Sequence, residues 1–272
     1  MNHYAFNLMS HFAFSKTFTD SPDDISHQRL IISVMHAGGS LLGFFHLTPW
    51  FTRLLRAIPV TSTLRRFDAY GAQLVKERRA MKPENPDVLG WMIEKIEQAP
   101  AGQIKEMEEE LVADAMTISI AGTDTTAGAL TACLWHLASH PKAAERLREE
   151  LAGSQFDYTK PDHARLAQTP FLKAVVDETL RLAPPAPTTG IPRKTPQAGL
   201  QIGDTIVPGE ADVFVPIYVA QHDERFFVHA DKWIPERWLE KKNELLNDGG
   251  TFTPFNIVSI VVSSSVSRLT EL

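Results

Sequence analysis

Two short segments of this 272-residue chain, and one lone thiol, have residue types and spacings able to do chemistry. Ala121-Gly122-Thr123-Asp124-Thr125-Thr126 puts a carboxylate among hydroxyls inside an otherwise apolar stretch. A carboxylate there costs free energy unless it is paired or used. Residues three and four apart share a helix face, so Ile118, Ala121, Gly122, Thr125, Ala129 and Ala132 form one stripe of mostly small side chains. Such a stripe lets a second helix approach closely or lets a flat ligand lie on the backbone, and helix packing is the favoured reading. The second segment is Phe171 to Leu182, with Glu178 and Arg181 in Glu-x-x-Arg spacing. On a helical wheel Glu178 falls about 20° from Phe171 and about 40° from Leu182, at the edge of the apolar face. Arg181 is one turn on. A surface pair would contribute under about 1 kcal/mol. A committed, partly buried pair needs a third partner to be tolerated.

The thiol and the histidines offer less. Cys133 alone forms no internal disulfide and no Cys-rich zinc site, and it reads as a small buried hydrophobe. His140, His163, His222 and His229 fit no compact metal site and read as surface or structural. No metal ligand set is expected.

The elements that must position these groups are mostly helical. Ile25 to Phe51 is apolar with scattered polar residues. Ser62 to Met81 is amphipathic, Asp87 precedes a helix over Val88 to Ile96, and an acidic run at Glu106 to Glu110 opens a long helix ending near His140. Pro141 suits a first helical turn, and Lys142 to Leu151 forms another helix closed by Gly153. Thr169-Pro170 opens the Glu-x-x-Arg helix, and Pro184-Pro185-Ala186-Pro187 ends it. Leu200 to Val207 reads as a hairpin turning at Gly203-Asp204, with a third strand over Asp212 to Val215. The class is mainly α with a small β region.

Composition narrows the class. Lys plus Arg total 27 against 33 Asp plus Glu, a net charge of −6, which argues against a nucleic-acid partner. The N-terminus lacks a basic region, so a signal peptide is not expected. Leu111 to Leu137 is long enough to cross a bilayer, but it carries Asp114, Asp124, five threonines and a serine. A buried helix of a globular domain is the better reading, and no anchor is visible.

In this order and at these spacings the segments resemble the cytochrome P450 superfamily of heme-thiolate monooxygenases in its eukaryotic, fungal form. Ala121 to Thr126 looks like the oxygen-activation motif and Glu178-Thr179-Leu180-Arg181 like the Glu-x-x-Arg pair. Pro235-Glu236-Arg237-Trp238 looks like the Pro-Glu-Arg-aromatic segment, and Thr253-Pro254-Phe255 like the approach to the heme loop. The resemblance covers about residues 1–255, a partial P450 domain from the middle and later part of the fold, with 256–272 outside the pattern. It implies a Glu178–Arg181–Arg237 structural cluster. It implies Ala121 and Gly122 over the heme, and Asp124 and Thr125 delivering protons to bound dioxygen. Arg193 would pair with a heme propionate, and Ile118, Thr188, Thr189 and Ile191 would line the substrate site. The implied partners are a small apolar organic substrate, dioxygen and an NADPH-dependent reductase. The implied setting is fungal secondary metabolism, and the family is typically bound to the endoplasmic reticulum.

The resemblance stops after Phe255-Asn256. The family pattern Phe-x-x-Gly-x-Arg-x-Cys-x-Gly gives way to Ile257 through Leu272, without glycine or cysteine. Cys133 lies nine residues beyond Asp124, about 13 Å along the same helix and about 180° around it. The membrane anchor, first helices and Trp-x-x-x-Arg heme contact of the family have no counterpart. The expectation is an inactive fragment arising from a gene-model or splicing error, with a shortened isoform as the alternative. Two rival readings stay open: a non-catalytic helical binding protein, and an unstable product whose Ile257–Val262 stretch is aggregation-prone.

Overall fold

The computed structural model describes residues 1–17, 24–33, 62–83, 85–153, 162–186, 193–248 and 252–255, with the backbone alone given at 62–65, 67, 68 and 163. The chain divides into two units, Met1–Leu134 and Trp135–Leu272.

The first unit is helical: α1 (Asn2–Phe14), α2 (24–33), α3 (Ser62–Ala80), α4 (Val88–Glu97) and most of α5 (Ile104–Ser139). Its core joins Phe6 and Phe14 of α1, Ile31, Tyr70 and Leu74 of α3, Leu89 and Ile93 of α4, and Leu111, Ala115 and Met116 of α5. Tyr70 and Leu74 share a face because they are four residues apart, and Val75, next to Leu74, widens the buried strip. Asp87 starts α4 by accepting from the Gly90 amide at 2.7 Å, and it also receives Arg78 Nε at 2.6 Å and Ser15 Oγ at 2.5 Å. Helix α1 escapes a periodicity reading because polar residues interrupt it. Its buried Ala5, Phe6, Ser10, Ala13 and Phe14 form the inward face, and Ser15 ends it in the left-handed region at φ 51°. The expected helix from Ile25 to Phe51 is helical over 24–33, and the remainder lies outside the described residues.

Among the described residues, the second unit contains α6 (Pro141–Gly153), α7 (His163–Ala167), α8 (Pro170–Leu182), four short strands, α9 (Ile217–Gln221), a 3₁₀ turn at Pro235–Trp238, and α10 (Lys242–Leu245). Pro141 and Pro170 each occupy the first helical turn, where a missing N–H costs nothing. Strands β2 (Leu200–Ile202) and β3 (Thr205–Val207) pair antiparallel. Gly203 has φ +56° while Asp204 does not enter positive φ, so glycine leads the turn as a type II′ hairpin requires. The third strand is shorter than expected. Here β4 (Asp212–Val213) pairs with β1 (Arg193–Lys194), in a sheet separate from the hairpin. Pro216 restricts the residue before it and has no N–H, so pairing ends early.

No helix among the described residues is long and apolar enough to cross a membrane.

Candidate functional site

The second unit is built around Glu178. Its helix, α8, is seated at its start by Glu150, whose carboxylate accepts from the amides of Phe171 at 3.0 Å and Leu172 at 3.2 Å. Negative charge there satisfies unpaired amides and complements the helix dipole. The amphipathic pattern buries Phe171, Ala174, Val175 and Glu178 on one face. Glu178, Arg181 and Arg237 are all fully buried, at 0% exposure.

The Glu178 carboxylate accepts five donors. Arg181 Nε and Nη2 reach it at 2.9 Å, Arg237 Nε at 3.2 Å, the Ile234 amide at 3.0 Å and the Trp238 indole N–H at 3.0 Å. Each guanidinium then spends its other N–H groups on backbone carbonyls. Arg181 donates to Gln221, Ala230 and Lys232, and Arg237 to Val228, Leu245 and His229. Phe227 lies beneath both cations, 5.2 Å from Arg181 and 6.0 Å from Arg237. One carboxylate faces two guanidiniums, and the carbonyl dipoles take up the excess positive charge. Burial pulls the Arg237 guanidinium below its ordinary value, and Glu178 acts in the opposite direction. The third partner that the Glu-x-x-Arg reading required is therefore Arg237, joined by Trp238.

The Asp124 segment is different. Asp124 and Thr125 are exposed, so Asp124 escapes the burial cost that its apolar setting suggested. Hydropathy along a helix says nothing about which face is covered. Thr125 Oγ1 donates to the Ala121 carbonyl at 2.7 Å, and the buried Thr123 Oγ1 donates to Ser119 at 2.6 Å. Ala121 is exposed. Gly122 is covered: a Cβ placed there would lie 2.3 Å from Met9 Cε and 2.6 Å from its Sδ. At Gly122 the absent side chain thus makes room for Met9 of α1, while Ala121 and Thr125 of the same stripe stay exposed. Ile118 packs against the core of the first unit.

Arg193 is exposed on β1, its Cα opposite Val213. Thr188, Thr189 and Ile191 lie outside the described residues. Cys133, expected as a small buried hydrophobe, is half-buried. Among the described residues, no three His, Cys, Asp or Glu side chains gather where they could hold a metal ion.

Sequence reasoning missed Trp238 as a donor to Glu178, although Pro235-Glu236-Arg237-Trp238 was in view. It also missed Gln221, whose amide nitrogen, facing α8, donates to the carbonyls of Leu180 at 3.1 Å and Arg181 at 2.8 Å. No local signal marks either role. His136 and Trp233, stacked in parallel at 5.1 Å, were likewise not singled out.

Comparison with known proteins bears on the whole chain. The Cytochrome P450 family model matches residues 1–256. "Cytochrome P450 monooxygenase FCK2" of Fusarium pseudograminearum is 38% identical over 260 residues, covering 94% of this chain and 46% of that protein. "Tryprostatin B 6-hydroxylase" of Aspergillus fumigatus is 34% identical over 265 residues, covering 94% and 45%. "Cytochrome P450 monooxygenase eupD" of Phoma sp is 33% identical over 213 residues, covering 74% of each chain. The chain spans just under half the length of the first two.

Proposed function

The chain belongs to the cytochrome P450 family, and we propose that it carries the buried Glu-Arg-Arg core of a fungal P450 monooxygenase without an iron-binding site of its own. The family's cofactor is heme, whose cysteine-ligated iron favours cleavage of the O–O bond. The residues of this chain do not fit that group. Cys133 is the one thiol, and it stands on the helix whose centre the resemblance puts over the heme. Residues 256–272 contain no cysteine. The flank of Gly122, where a flat ring would rest, is filled by Met9.

The observation that carries the reading is the closed Glu178–Arg181–Arg237 cluster: it is assembled and saturated using this chain alone. The activity proposed for a complete protein of this kind is insertion of one atom of dioxygen into an apolar organic substrate, with electrons from an NADPH-dependent reductase. Asp124 and Thr125 as a proton-delivery pair belong to that complete site. So do Ala121, Gly122 and Arg193 as heme contacts, and Ile118, Thr188, Thr189 and Ile191 as substrate contacts.

For this chain, the expected result is no thiolate-type carbon monoxide band after incubation with hemin and reduction. Appearance of that band overturns the proposal. The nucleotide sequence following the Phe255 codon supplies the complementary test. A frame encoding the Phe-x-x-Gly-x-Arg-x-Cys-x-Gly loop supports a longer active product, and its absence counts against one.

A further inference from the structure

His136, in the last turn of α5, belongs to the second unit and has no part in the reading above. It is 5% exposed, and its Nδ1 is buried without a hydrogen-bond partner. An orphaned buried polar atom is uncommon and costs free energy. The ring lies flat on Trp233, with an interplanar angle of 2°. Trp233 is 6% exposed, and its indole N–H donates to Thr179 Oγ1 at 3.2 Å. The residues flanking Trp233 are the important ones. The Lys232 carbonyl accepts from Arg181 Nη2 at 3.0 Å, and the Ile234 amide donates to Glu178 Oε1 at 3.0 Å. Any displacement of Trp233 therefore pulls on both members of the Glu178–Arg181 pair.

We infer that His136 is an acid-sensitive wedge: its neutral ring holds Trp233 against α8, and its protonation releases residues 232–234 from the Glu178–Arg181 pair. The charged groups facing it are few. On its own helix end, His140 lies 6.2 Å away ring to ring, with its Nδ1 2.8 Å from the His136 carbonyl oxygen. On α8 stand Glu178 and Arg181. On the Trp233 segment, Asp231 and Lys232 are exposed to solvent. A protonated Nδ1 would need an acceptor, and the one buried carboxylate there, Glu178, already receives five donors.

Three features favour the imidazolium: the helix C-terminus, the Trp233 face and the charge of Glu178. Burial, then His140, outweigh them and hold His136 below its ordinary value. The sign follows. The neutral ring stabilises the fold above the ordinary histidine pKa of about 6.5. That stability is lost as pH falls below this and through the depressed folded value.

The test is an NMR titration of the full chain with isotope-labelled histidine, read together with hydrogen exchange at the Ile234 amide. The expected result is that His136 titrates below the ordinary value. Exchange at Ile234, corrected for its intrinsic pH dependence, should rise as pH falls below about 6.5, by at most roughly tenfold per pH unit, and level off once His136 has titrated in the folded state. His136→Phe keeps an aromatic ring on Trp233 and should abolish the rise. His140→Gln removes the second imidazole, whose ring also lies 4.8 Å from Trp233, and should move the titration and the exchange step upward together. The inference is overturned if the rise persists in His136→Phe, if exchange ignores pH, or if the two midpoints separate in His140→Gln.

Discussion

The Glu178 cluster and the Asp124 segment both put a carboxylate on an apolar helix, yet the fold treats them in opposite ways. Glu178 is fully buried and surrounded by donors from the 3₁₀ turn, the loop before it and its own helix. Asp124 faces solvent, and its neighbour Thr125 bonds only to its own helix backbone. The first arrangement is a structural commitment that must be complete to be tolerated. The second is available surface, with chemistry only if something is laid against it. A motif match alone does not separate these cases; the burial of the carboxylate does.

The contrast breaks most visibly at Glu178. Replacing Glu178 with Ala leaves Arg181 and Arg237 buried with no counter-charge. Removing one partner of a buried pair typically costs about 3–5 kcal/mol, a large share of a domain's stability. Urea unfolding followed by tryptophan fluorescence should show the transition of the second unit shifted by that amount or lost. A variant as stable as the parent would mean that the cluster is not the keystone its geometry indicates. Glu178→Gln should be nearly as damaging, because an amide offers no negative charge to either guanidinium.

A smaller effect sharpens the same comparison at Glu150. This half-buried carboxylate accepts from two amides at the start of α8, the helix that carries Glu178. Glu150→Ala removes a cap-like interaction, which typically costs about 1 kcal/mol. The loss should appear in the unfolding of the second unit. An unchanged midpoint would show that water caps α8 equally well.

Local rules made much of this legible. Asp87 as a cap, Pro141 and Pro170 in first turns, and Gly203 in a hairpin are each dictated by a residue's own backbone preference. Glu178 and Arg181 were legible from the wheel, and Arg237 from the resemblance. The acceptors that make the cluster tolerable were not: the carbonyls of Gln221 and Lys232 stand 40 and 51 residues from Arg181. Backbone carbonyls carry no sequence signature. The same limit hid Met9 against Gly122 and His136 against Trp233, contacts that are non-local and written in no spacing. The pairing of β1 with β4 escaped because two-residue strands carry no alternation to read.

The smallest effect belongs to the exposed carboxylate, and it tests the other half of the comparison. Asp124→Asn and Thr125→Ala alter groups that face solvent, and surface changes of this kind usually stay within about 0.5 kcal/mol. Thr125→Ala also removes a β-branched residue whose hydroxyl back-bonds to Ala121, which offsets the lost hydrogen bond with better helix propensity. Both variants should unfold with the parent's midpoint in urea. A shift above about 1 kcal/mol would mean that this face is covered in solution. The helix centre would then be part of the structural core, and its difference from the Glu178 cluster would be one of degree.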